Sequence, residues 1–160
     1  MKSRNSEIVQ RILLLLKNDA NNLFNRVSTR KTEYLEIFAL RRTREHFPVI
    51  FANRYSGTSL SDLSQCSTEL ITSLDQFYTV VEETSWYLFQ TEDMPNTVET
   101  FIDRRIKRME KLLNTLNLFI DAELGIDSNA APEEAKPLFI DQPQGQDFSI
   151  FTEDDTSQES

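Results

Sequence analysis

The chain has 160 residues, 39% hydrophobic and 27% charged, with a formal net charge of −9. That length suits one domain with an appendage and is enough to bury a single core. Three glycines, one cysteine and one histidine exclude the glycine-rich phosphate loops of nucleotide-binding folds, an intrachain disulfide, and zinc sites built from several His or Cys side chains.

Gly57 is the only glycine before Gly125. A sandwich, barrel or dinucleotide fold needs more turn chemistry than that, so long helices with short links are expected. The charge is laid out in blocks. Residues 1–58 carry +6, 59–103 carry −9 with no Lys or Arg at all, 104–124 carry +2, and 125–160 carry −8. The body is thus nearly neutral, the excess sits in the tail, and the opposed blocks can attract one another.

The first helix is expected from about Ser6 to Val27. Val9, Leu13, Leu16, Ala20, Phe24 and Val27 form one stripe, and Ile8, Ile12, Leu15, Asp19 and Leu23 a second beside it. An apolar face that broad fits two neighbouring helices. The apolar run Ile12–Leu16 is cut short by Lys17 and Asp19, too short for a signal core or a membrane span, which leaves a cytoplasmic location as the expectation. Ser28 and Thr29 offer a break and a new cap.

A second helix is expected from about Arg30 to Phe47, ended or kinked by Pro48, with a short piece at Val49–Tyr55. The third helix is the plainest. Leu60, Leu63, Ser67, Leu70, Leu74, Phe77, Val81, Thr84 and Leu88 step alternately by three and four, a sustained heptad seam. Ser59 and Asp62 resemble a capping box at its start. For the fourth helix, Asn96 and Glu99 have capping-box spacing after Pro95. Val98, Ile102, Arg105, Met109, Leu112, Leu116 and Phe119 make its stripe, and Gly125 with Ile126 fits a Schellman-type end. After Ser128 a polar, acidic, Pro-containing stretch begins that cannot bury enough surface to order itself.

These elements predict an all-α fold: a four-helix up-down bundle in residues 1–127, its second helix kinked or split at Pro48, with a disordered acidic tail in 128–160. An antiparallel coiled-coil dimer is the rival the heptad seam raises.

Two apolar clusters interrupt the tail, Leu138-Phe139-Ile140 and Phe148-Ser149-Ile150-Phe151, both flanked by acids. Aromatic anchors among acids suit folding upon binding, either to a partner or back onto the body. Arg41, Arg42 and Arg44, and Arg104, Arg108 and Lys111 with Arg105 and Lys107, are basic clusters that could receive such a segment. The five charges of 104–111 span two helical turns and wrap around the helix. Arg105 falls on the apolar stripe and is expected either to snorkel to the surface or to pair with an acid of the third helix. The overall acidity and lack of a nucleic-acid-reading motif argue against DNA or RNA. Trp86 and Phe89 fall off the heptad seam, either covered by a neighbouring loop or exposed as a docking patch.

His46 lies near Arg42 and Arg44, which raises histidine phosphotransfer, but Phe47-Pro48 follows where such a helix would continue. No metal, cofactor or catalytic motif is found. The reading is a non-enzymatic cytoplasmic adaptor or regulatory module that binds another protein, with a homodimer also open. The alternatives are a chaperone or assembly factor holding a partner helix on the apolar face of the first helix, and the phosphotransfer bundle.

Overall fold

The computed structural model describes residues 4–126, apart from the Asn5 side chain. They are helical, with no strand among the described residues. Three helices are long: α1 (Arg4–Thr29), α5 (Thr68–Gln90) and α6 (Pro95–Leu124). Between α1 and α5 lie α2 (Lys31–Arg41), the single turns α3 (Phe47–Ile50) and α4 (Leu60–Leu63), and a 3-10 turn at Tyr55–Gly57.

Helix α6 packs against both α1 and α5. Lys17 binds Asp121 at 2.5 Å, and the Asn21 and Asn117 amides bond one another, so α1 and α6 are antiparallel. Farther along, Lys31 at the start of α2 reaches Asp103 at 2.7 Å and Glu99 at 3.5 Å. The Ser67 N–H donates to Glu123 at one end of α5, and Arg105 pairs with Glu83 near the other, so α5 and α6 are also antiparallel. The short turns lie between α1 and α5. There the Asp19 carboxylate accepts from the Arg54 N–H with both oxygens at 3.1 Å and from the Tyr78 hydroxyl at 2.8 Å. Tyr55 stacks flat on Tyr78 at 4.3 Å.

The buried faces largely follow the expected periodicities. On α1 the seam is Leu13, Leu16, Ala20, Leu23 and Val27, while Ile8 and Leu15 of the second stripe face solvent. On α5 it is Leu70, Leu74, Phe77, Val81, Thr84 and Leu88; on α6 it is Val98, Ile102, Met109, Leu113, Leu116 and Ile120. Gly125 takes the left-handed conformation at φ 71, and the Ile126 N–H donates to Asp121 O, the expected Schellman ending.

Five boundaries differ from the sequence expectation. The second helix stops at Arg41, well before Phe47: Arg42 adopts φ 53, and Arg44 donates to Leu88 O and Thr91 O, drawing the chain onto the end of α5. Pro48 opens α3 instead of ending a helix, because its missing N–H costs nothing in a first turn. The heptad seam is broken at 64–67, leaving Leu60 85% exposed on a separate turn, and Ser67 caps α5 by accepting from the Leu70 N–H. Ser59 caps only α4. Met94 is the cap residue of α6, Pro95 sits in its first turn, and Asn96 lies inside the helix. Ser28 and Thr29 do not cap α2, since their hydroxyls donate back to Phe24 O and Asn25 O.

Candidate functional site

A groove with a volume of about 720 Å³ runs between α5 and α6. Glu82, Glu83, Trp86 and Tyr87 line it from α5, and Phe101 and Arg105 from α6. Its floor is the Tyr87–Phe101 ring pair, with centroids 3.8 Å apart. The Arg105 guanidinium lies 4.8 Å over the Phe101 ring and pairs with Glu83 at 3.1 Å. The Tyr87 hydroxyl donates to Asp93 at 2.8 Å. Burial, reinforced by that carboxylate, raises the Tyr87 phenol above its ordinary value, so it stays a neutral donor at physiological pH.

Trp86 stands over this floor with 67% of its surface exposed. It faces away from the α5 seam, as the heptad spacing requires, and neither the Gln90–Asn96 link nor the Val49–Tyr55 segment covers it. A second, smaller groove beside Trp86 is lined by Phe51, Val81, Ser85 and Phe89. Phe89 meets Phe47 edge-on at 6.1 Å and is partly held by that contact. A large indole in water between two apolar grooves is the kind of anchor that protein interfaces use.

The two basic clusters have different surroundings. Arg44 is bound to backbone carbonyls, approaches Glu92 at 3.5 Å and lies over Phe38 at 5.1 Å. It fastens the end of α2 to the end of α5. Arg42 lies over the same ring at 5.9 Å, and Arg41 is exposed. On α6, Arg105 turns into the groove, and Arg104, Lys107, Arg108 and Lys111 are all exposed. Arg104, Arg108 and Lys111 recur at i, i+4 and i+7, so they form a stripe along one face, not a ring around the helix. None of these four cations has an ion pair among the described residues. Arg104 also lines a pocket beside Tyr87 and Phe101, so the stripe borders the aromatic floor.

The His46 ring lies against Phe47, with centroids 4.2 Å apart and the planes tilted by 45°. Its Nε2 bonds Tyr34 O at 2.9 Å; a carbonyl only accepts, so Nε2 carries the proton. Nδ1 is buried with no partner among the described residues. Cys66 is a buried free thiol, and burial followed by the Glu123 carboxylate raises it, which disfavours the reactive thiolate. No cluster of three or more metal-binding side chains occurs among the described residues.

Leu138, Phe139, Ile140, Phe148, Ile150 and Phe151 lie outside the described residues. Sequence reasoning singled out Trp86, Tyr87, Phe89 and the α6 cations but not Phe101, nor its pairing with Tyr87 as a floor. The available signal was Phe101 four residues before Arg105, one turn away on the same side of a helix. No known protein family, curated protein or solved structure matches the chain.

Proposed function

We propose that this chain is a non-enzymatic adaptor or regulatory module: a helical bundle that docks other protein segments, with an acidic, aromatic-bearing C-terminal segment as a second docking element. The exposed Trp86 between two apolar grooves carries the reading. A tryptophan left in water gives up much of the stabilisation its burial would bring, and a covering partner recovers it. The tail clusters at 138–140 and 148–151 supply anchors of the same chemistry, and their acids suit a basic surface. A cytoplasmic location belongs to this reading. No described helix is long and apolar enough to cross a membrane.

A second reading, a chaperone or assembly factor, is favoured by Ile8, Leu14 and Leu15, which stand about half exposed on α1. Phosphotransfer through His46 is disfavoured, because it needs an imidazole nitrogen open to a phosphoryl donor.

The test is removal of residues 128–160. Every core side chain from Leu13 to Ile120 remains, so circular dichroism is expected to stay helical while a partner interaction is lost or altered. A truncated chain that unfolds would make the tail structural and defeat this reading. The chaperone reading predicts that the truncation binds more of a hydrophobic dye, and unchanged dye binding counts against it.

A further inference from the structure

The groove between α5 and α6 has lips of opposite charge. Residues 59–103 contain no Lys or Arg, and the acids of α5 are Glu69, Asp75, Glu82 and Glu83, of which Glu82 and Glu83 line the groove. On α6, Arg105 lines the groove, Arg104 borders it, and Lys107, Arg108 and Lys111 follow on the exposed surface of the same helix; these last four are without ion pairs among the described residues. Of these acids and bases, only Glu83 is drawn across the groove, to Arg105.

An occupant must therefore be basic along one side, acidic along the other, and carry an aromatic anchor in between. Nucleic acid or an anionic membrane satisfies the α6 lip and is repelled by α5. A simple acidic peptide does the same. We propose that the occupant is a second copy of this chain, docked face to face across the α5–α6 groove. This rests on reading the groove as a docking surface.

Because α5 and α6 are antiparallel, a two-fold axis running along the groove lays α5 of each copy over α6 of the other, with heights along the helices preserved. The Glu83–Arg105 pair fixes the level. Glu82 then faces the partner's Arg104. Asp75 lies about 12 Å from Glu83 along its axis and Lys111 about 9 Å from Arg105 along its own, in the same direction, so these come within about 3 Å of one level, a gap a lysine side chain spans. Trp86 of each copy meets the Tyr87–Phe101 floor of the other. A two-fold axis across the groove would instead set α5 on α5, acid against acid, so charge selects a single arrangement.

The test is sedimentation of the full chain over a dilution series at about 0.05 M and about 0.5 M salt. A monomer–dimer equilibrium weakened by salt is expected, and Trp86→Ala raises its dissociation constant roughly tenfold or more. Two charge-reversed chains then probe the lips: Asp75→Lys with Glu82→Lys, and Arg104→Glu with Arg108→Glu. All four positions are exposed. Each variant alone is expected to be monomeric, because its reversed side chains neutralise one lip and face like charges on the partner's other lip, and an equimolar mixture is expected to dimerise.

A full chain that is monomeric at every concentration overturns the proposal, as does a dimer indifferent to both charge-reversed variants or a mixture no better than its components. A monomeric chain whose Trp86 emission is that of a buried indole would assign the groove to another segment of the same chain. If the chain is monomeric but Trp86→Ala still loses a different protein, the docking reading stands and only the second copy fails.

Discussion

Asp19 shows how a charge can occupy an apolar stripe. Periodicity placed it on the buried side of α1, and it is indeed buried, because its oxygens accept from the Arg54 N–H and the Tyr78 hydroxyl. The position was legible in the sequence; the partners were not, since they lie 35 and 59 residues away and meet Asp19 only in the folded chain. Asp19→Ala orphans the buried Tyr78 hydroxyl and the part-buried Arg54 N–H. It is expected to destabilise the fold by about 2–4 kcal/mol and lower the thermal midpoint by on the order of 10 °C, read by circular dichroism. A loss within a few tenths of a kcal/mol would remove the network from the account. Tyr34 and Tyr78 make a related case. Burial first, then Asp103 for Tyr34 and the Asp19 bond for Tyr78, raises both phenols well above their ordinary range. A raised folded-state pKa stabilises fully below the unfolded value of about 10 and loses that contribution as pH climbs towards the folded value. In an alkaline titration these two tyrosinates are expected to form only as the helical signal falls. All four tyrosines ionising near pH 10 with the helix intact would contradict this.

At the scale of elements, the long amphipathic helices could be read from spacing, and their ends could not. The stripes of α1, α5 and α6 depend on the helical period alone. The ends depend on rival caps that look alike in sequence. Ser59 and Ser67 both precede helical pattern, yet Ser67 caps the 23-residue α5 and Ser59 a four-residue turn. What decides between them is tertiary: Glu123 at the far end of α6 accepts from the Ser67 N–H at 2.7 Å, fixing where α5 begins. Ser67→Ala is accordingly expected to cost about 1 kcal/mol in chemical denaturation and Ser59→Ala only a few tenths. Equal losses would return the start of the long helix to Ser59. The early end of α2 has the same kind of cause, since the bonds of Arg44 to Leu88 and Thr91 cross from one element to another.

At the scale of the whole chain, the block charge layout was plain in the sequence, and its consequence needed the fold. Counting shows an acidic stretch followed by a basic one; the antiparallel α5–α6 contact turns that order into two facing lips with an aromatic floor. Heptad spacing put Trp86 off the seam, but only the neighbouring elements decide whether an off-seam residue is covered, and Trp86 stays open. The most direct measurement on the docking claim compares tagged full-length chain with tagged Trp86→Ala, both confirmed helical, in capturing partners from a lysate of the source cells and in capturing an untagged copy. The account predicts that at least one specific partner, a second copy or another protein, is lost or weakened roughly tenfold by the substitution. An identical set of partners, held equally well by both chains, would contradict it.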